Sequence, residues 1–121
     1  LYGLAVLRAR ECELLVEKMN VKVEPGQAFL TGMFSLLDSL FDQPLKQVLD
    51  SVPIDEEIKQ ALIQRKGVLG AILAMVIAYE QARWDEATRI RKLLKLSEAE
   101  LGQAYDEATT WVQELLSPSL K

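Results

Sequence analysis

Four oxygen-bearing side chains, Thr31, Ser35, Asp38 and Asp42, recur at steps of four, three and four in a stretch that is otherwise apolar, FLTGMFSLLDSLFD. On a helix of 3.6 residues per turn they stack along one side. Phe29, Met33, Leu36 and Leu40 form a second side, and Leu30, Phe34, Leu37 and Phe41 a third. A helix this apolar is expected at the centre of a fold, where a polar line either reaches solvent through a gap between neighbours or marks a site. The plainer of these two readings is a solvent-facing strip.

Most other catalytic chemistry is ruled out by composition. The chain has no histidine, which removes a Ser-His-Asp triad, a Cys-His pair and the common His-containing metal sites. The single Cys12 permits no internal disulfide or Cys cluster, and its place in ARECELL reads as a buried, reduced core thiol of a cytosolic protein. No glycine-rich phosphate loop is present. The acidic run Asp55, Glu56, Glu57 reads as a helix start, not a cation site. No catalytic residue, metal ligand or cofactor is expected.

A second constellation closes an apolar helix: Tyr79 and Glu80, with Trp84 four residues past the glutamate. A carboxylate there is costly to bury unless paired, so Glu80 is expected to bond a partner and tie two helices together, the Trp84 indole being one donor and Arg8 and Arg10 those implied by the family resemblance named below. An exposed helix-end glutamate is the alternative.

The elements that must position these residues are all helical. The pattern gives a first helix from about Leu4 to Met19, a loop over NVKVEPGQ, a second helix from about Ala28 to Phe41, and a short third one from Pro44 to Pro53. Asp55 is expected to cap a fourth helix and Gly67 to end it in the left-handed conformation. The fifth, about Val68 to Ala82, aligns Gly67, Ala71, Ala74 and Ala78 as a face for close helix approach. A sixth, about Asp85 to Leu96, carries Arg89, Arg91, Lys92 and Lys95 on a solvated face. Ser97 with Glu100 forms a capping box that opens the last helix. There is no period-two alternation and no repeat, so the expectation is all-α: an irregular globular array of about seven helices in one domain over residues 1–121.

Bulk numbers fit a folded domain with ordinary hydrophobic content. A net charge of −4 offers no field for phosphate backbones, so nucleic acid is not an expected partner. The longest apolar run, VLGAILAMVIAY, has 12 residues against the roughly 20 a membrane helix needs, so no membrane partner is expected. Position 1 is Leu, and the chain reads as a piece of a longer one.

From about residue 4 to 86 the sequence resembles the later part of an HDOD domain, more narrowly those that follow an EAL domain in bacterial cyclic di-GMP signalling proteins. The resemblance is carried by Arg8, Ala9, Arg10, Cys12 and Glu13, by Gly32 through Asp38, and by Tyr79, Glu80 and Trp84. It implies an HD-domain-like fold without the metal site: the His-Asp doublet of the catalytic relatives would fall at Ser35 and Leu36, and neither is a competent ligand. It further implies a cytoplasmic, non-catalytic regulatory module that docks onto an attached EAL-type domain or another signalling protein. Ser35, Asp38, Arg8, Arg10, Glu80 and Trp84 are the candidate pocket or interaction residues. A divergent HD-type phosphohydrolase and a purely structural oligomerising domain are the alternatives. Helices that would precede Leu1 in such a domain are expected to leave the first, second or fifth helix underprotected, making this chain a homodimer.

Overall fold

The computed structural model describes residues 2–36, 45–51 and 53–116. Among them it is all-α, with helices α1 (Tyr2–Glu17), α2 (Pro25–Phe34), α3 (Leu45–Asp50), α4 (Glu56–Gln64), α5 (Gly67–Glu80), α6 (Trp84–Leu93) and α7 (Glu98–Leu115). Their buried faces meet in one core. Leu15 of α1, Ala28 of α2, Leu49 of α3, Ile58 of α4, Ile72, Leu73 and Met75 of α5, Ile90 of α6 and Ala104 of α7 all contribute to it.

Two helices occupy the centre. α1 packs against α2, α7 and α5, and α5 packs against α4, α6, α1 and α2. α2, expected there from its apolar sequence, leaves Leu30 at the surface. The reason is its partner set: α1 lies flat along one side, while α4 and α5 touch it less extensively. The flat approach is set by Gly32, where a Cβ would stand 2.6 Å from the Ala9 Cα and 2.8 Å from the Arg8 carbonyl oxygen. Only glycine lets the two backbones come this close.

Helix boundaries differ from the sequence expectations where the chemistry is in the side chains. Pro25 opens α2, with Gln27 accepting from the Glu24 amide at 2.9 Å, so the PGQ of the expected loop is the first helical turn. Asp55 makes no side-chain cap on α4, and its Oδ2 accepts instead from the Gln27 side chain at 3.1 Å. Left-handed termini fall at Arg65, Ala82 and Lys95, after α4, α5 and α6, none of them glycine. Gly67, at φ +73, is left-handed too, but it starts α5. Along α5 the turn that enters the helix folds back closely at Gly70, where a Cβ would meet the Arg65 carbonyl carbon at 2.2 Å. The Ser97–Glu100 capping box forms as expected, with Ser97 Oγ accepting from the Glu100 amide at 3.0 Å. No single helix among the described residues is long and apolar enough to cross a membrane.

Candidate functional site

The close α1–α2 crossing places the second turn of α1 against the C-terminal ends of α2 and α5. Arg8 sits there, its side chain 6% exposed. Its guanidinium donates from Nε to Glu80 Oε2 at 3.0 Å and from Nη2 to Glu80 Oε1 at 2.7 Å, the parallel fork that gives arginine–carboxylate pairs their specificity. The third arm, Nη1, donates to Ser35 Oγ at 2.8 Å, and that hydroxyl donates to the Gly32 carbonyl at 2.6 Å. One cation thereby joins α1, α2 and α5.

Of the three partners open to Glu80, the structure selects Arg8. Arg10 lies elsewhere, paired with Glu13 at 2.7 Å and stacked over the Trp111 ring at 5.3 Å. Trp84 begins α6 and does not close α5. It is 57% exposed, with its ring edge-on to Tyr79 at 5.4 Å, and Tyr79 contacts Tyr105 of α7 at the same separation. Leu4, Leu7, Tyr79, Trp84 and Tyr105 line an apolar groove of about 510 Å³, with Glu80 on its wall.

The polar line of α2 does not face solvent where it is described. Thr31 is buried and donates to the Gln27 carbonyl at 2.8 Å, and Ser35 turns to Arg8. The solvent-facing strip is therefore corrected at these two positions: the side of α2 that carries them is the side α1 covers. Asp38 and Asp42 lie outside the described residues.

Sequence reasoning missed Glu11. It is 0% exposed, one turn after Arg8 on α1, and among the described residues neither carboxylate oxygen has a hydrogen-bond partner. Burial, reinforced by the like charge of Glu80 and opposed by Arg8, pushes its pKa up to about 8. The same burial drives the adjacent Cys12 thiol upward, making it inert, and raises the Tyr79 phenol, with Glu11 adding to both. The available signal was a charged residue inside the buried stripe of α1, among Arg8, Cys12 and Leu15. Among the described residues no group of three or more His, Cys, Asp or Glu side chains is placed to hold a metal ion.

The site is thus a buried ionic network inside an all-α module, with one carboxylate more than it has cations. No protein-family model matches the chain. No solved structure matches it. Among curated proteins it is similar to the cyclic di-GMP phosphodiesterase CdgJ of Vibrio cholerae, 34% identical over 115 residues, which is 95% of this chain and 27% of that protein. It is also similar to the uncharacterized protein YuxH of Bacillus subtilis, 30% identical over 113 residues, 93% of this chain and 27% of the relative. The chain is thus homologous to about a quarter of a larger cyclic di-GMP signalling protein.

Proposed function

We propose that this chain is a non-catalytic regulatory and protein-interaction module of a bacterial cyclic di-GMP signalling protein, the later part of an HDOD domain attached to an EAL-type domain. The observation that carries the reading is the Arg8 guanidinium bonded at once to Glu80 and Ser35. By the resemblance, Ser35 stands where a catalytic relative holds a metal ligand. Here its oxygen and the nearby carboxylate are taken up by a covalently tethered cation that cannot activate water as a metal does. The similarity to CdgJ supports the signalling context, since that protein is named a cyclic di-GMP phosphodiesterase and this chain matches only 27% of it.

In this reading the module works by a packing equilibrium biased by its partner. The partner face is the apolar groove with Trp84 on its rim, because an exposed tryptophan beside half-buried Leu4, Leu7 and Tyr105 supplies a large apolar anchor at little conformational cost. The test is turnover of cyclic di-GMP and of a simple phosphodiester by this chain with manganese or iron supplied. The expected result is no turnover. Metal-stimulated hydrolysis lost on Ser35→Ala or Asp38→Ala establishes the rival, a divergent phosphohydrolase.

A further inference from the structure

Arg8, Glu80 and Glu11 form an unequal set: one guanidinium and two carboxyl groups, with Arg8 and Glu11 buried and Glu80 11% exposed at the groove. Glu80 holds both forks of the guanidinium, and Glu11 holds nothing among the described residues. An ionised carboxylate without a donor is among the costliest groups a protein interior can contain, so Glu11 in this arrangement carries its proton. Yet it lies three residues from Arg8 on the same helix, the spacing at which side chains become neighbours. An alternative pairing for the arginine is therefore built in.

We propose that Arg8 is a two-position latch controlled by the proton on Glu11: protonated Glu11 leaves the guanidinium on Glu80 and Ser35, and loss of the proton draws it to Glu11 and releases both. The step conserves charge simply. A proton leaves the Glu11 carboxyl for solvent, the new anion takes the cation that Glu80 had held, and Glu80, at the edge of the apolar groove, turns to water. Two ties are undone together, α1 to the end of α2 at Ser35 and α1 to the end of α5 at Glu80. The second tie is next to the Tyr79–Trp84 stack, so the exposed corner of the groove reads the state of the latch.

The surroundings fix the range in which this occurs. On α1 Glu11 is faced by Arg8 and Cys12, and on α5 by Glu80 and Tyr79. Asp106 and Tyr105 of α7 act on Tyr79, and α2 from Pro25 to Phe34 contributes no titratable side chain. Cys12 and Tyr79 both titrate above their ordinary ranges, clear of the Glu11 transition near pH 8.

The test is a titration of the whole chain from pH 3.5 to 9.5, following the Glu11 carboxyl carbon and the Trp84 indole N–H by NMR. Both signals are expected to move together with one midpoint near 8. Glu11→Gln, which keeps the shape and removes the titration, should leave the indole flat. Glu80→Gln, which frees Arg8 for Glu11, should bring the carboxyl midpoint down by at least one pH unit. A Glu11 carboxyl that titrates between pH 4 and 5 overturns the proposal. So does an indole that moves identically in Glu11→Gln, or a carboxyl midpoint unmoved in Glu80→Gln.

Discussion

Arg8 is the residue on which the network turns, and its substitution has a calculable consequence. Arg8→Met fits the apolar volume but leaves Glu80 and Glu11 in a site that is nearly dry, Glu80 being 11% exposed. Breaking a buried pair from one side typically costs about 3–5 kcal/mol because the remaining charge is uncompensated. We expect Arg8→Met to lower the unfolding free energy in urea by that amount at pH 7, and Arg8→Lys to recover only a small part, since an ammonium cannot span Glu80 and Ser35 as a fork does. In the double variant Arg8→Met, Glu80→Gln most of the loss should be regained. Glu11 imposes a pH dependence of definite sign. Its pKa is raised in the folded chain from the ordinary 4.5 to about 8, so the folded state holds more protons between those values. The stability it confers is complete below about pH 4.5 and is lost as pH rises to 8, by on the order of 4 kcal/mol in all. Glu11→Gln should flatten the slope of stability against pH across that window. Wild type and variant with parallel slopes show that the carboxyl is not held protonated. The sequence showed Glu80 as an acid needing a partner, because a carboxylate ending an apolar helix is conspicuous, and it left Arg8, Arg10 and the Trp84 indole open until the structure selected Arg8. It did not show Glu11, because one acid in a helix with other charges reads as surface until the neighbours on both sides of α1 are known.

At the scale of elements, stability rests on two close approaches and on three helix ends of unusual composition. Gly32 admits α1 against α2, and a methyl group there meets backbone atoms at 2.6 and 2.8 Å that no side-chain rotation can clear. Gly32→Ala is expected to cost about 1–3 kcal/mol and to break the Ser35–Arg8 bond by parting the two helices. Gly26, also in α2, meets nothing within 4 Å, so Gly26→Ala serves as the matched control and should be neutral or stabilising by up to about 1 kcal/mol. Lys95, at φ +62, is an opposite case: a side chain placed where glycine belongs. Lys95→Gly should raise the melting temperature, worth about 1 kcal/mol, because the left-handed conformation costs any residue with a Cβ roughly 1–2 kcal/mol. These ends also explain which boundaries were legible. The Ser97–Glu100 box announces α7 in the sequence because both side chains have the reciprocal geometry by type alone. The ends at Arg65, Ala82 and Lys95 are silent, since nothing in an arginine, alanine or lysine marks a left-handed turn, and the one glycine nearby, Gly67, serves the next helix instead.

For the whole molecule the question is which apolar surface remains for another chain. The amount of apolar sequence in α5 suggests an uncovered face there, yet its large side chains are buried or half-buried, and among the described residues none of the large exposed ones belongs to it. Four neighbouring helices sheathe it, α1, α2, α4 and α6, which a count of apolar positions along one helix cannot foresee. The exposed large side chains fall on other elements, and Trp84 joins a continuous apolar lining with Leu4, Leu7, Tyr79 and Tyr105. A second copy of this chain is therefore expected to bind through that groove, to which α5 contributes only its last turn, and not through the body of α5. Isolated exposed leucines are ordinary, but a tryptophan over half exposed on the rim of an apolar groove is the kind of anchor on which interfaces depend. Sedimentation velocity of the wild-type chain at a series of concentrations up to tens of micromolar should show reversible association, and Trp84→Glu should remove it by placing a charge where the contact must be dry. Ala74→Glu, half-buried on α5, should leave association unchanged in whatever fraction stays folded. A wild type that stays monomeric over this range, or association that survives Trp84→Glu, contradicts the groove as the contact. The same variant read in a longer chain carrying an attached EAL-type domain distinguishes a stand-in contact from a native one: docking of the two domains should weaken in parallel with self-association, because both draw on one apolar anchor.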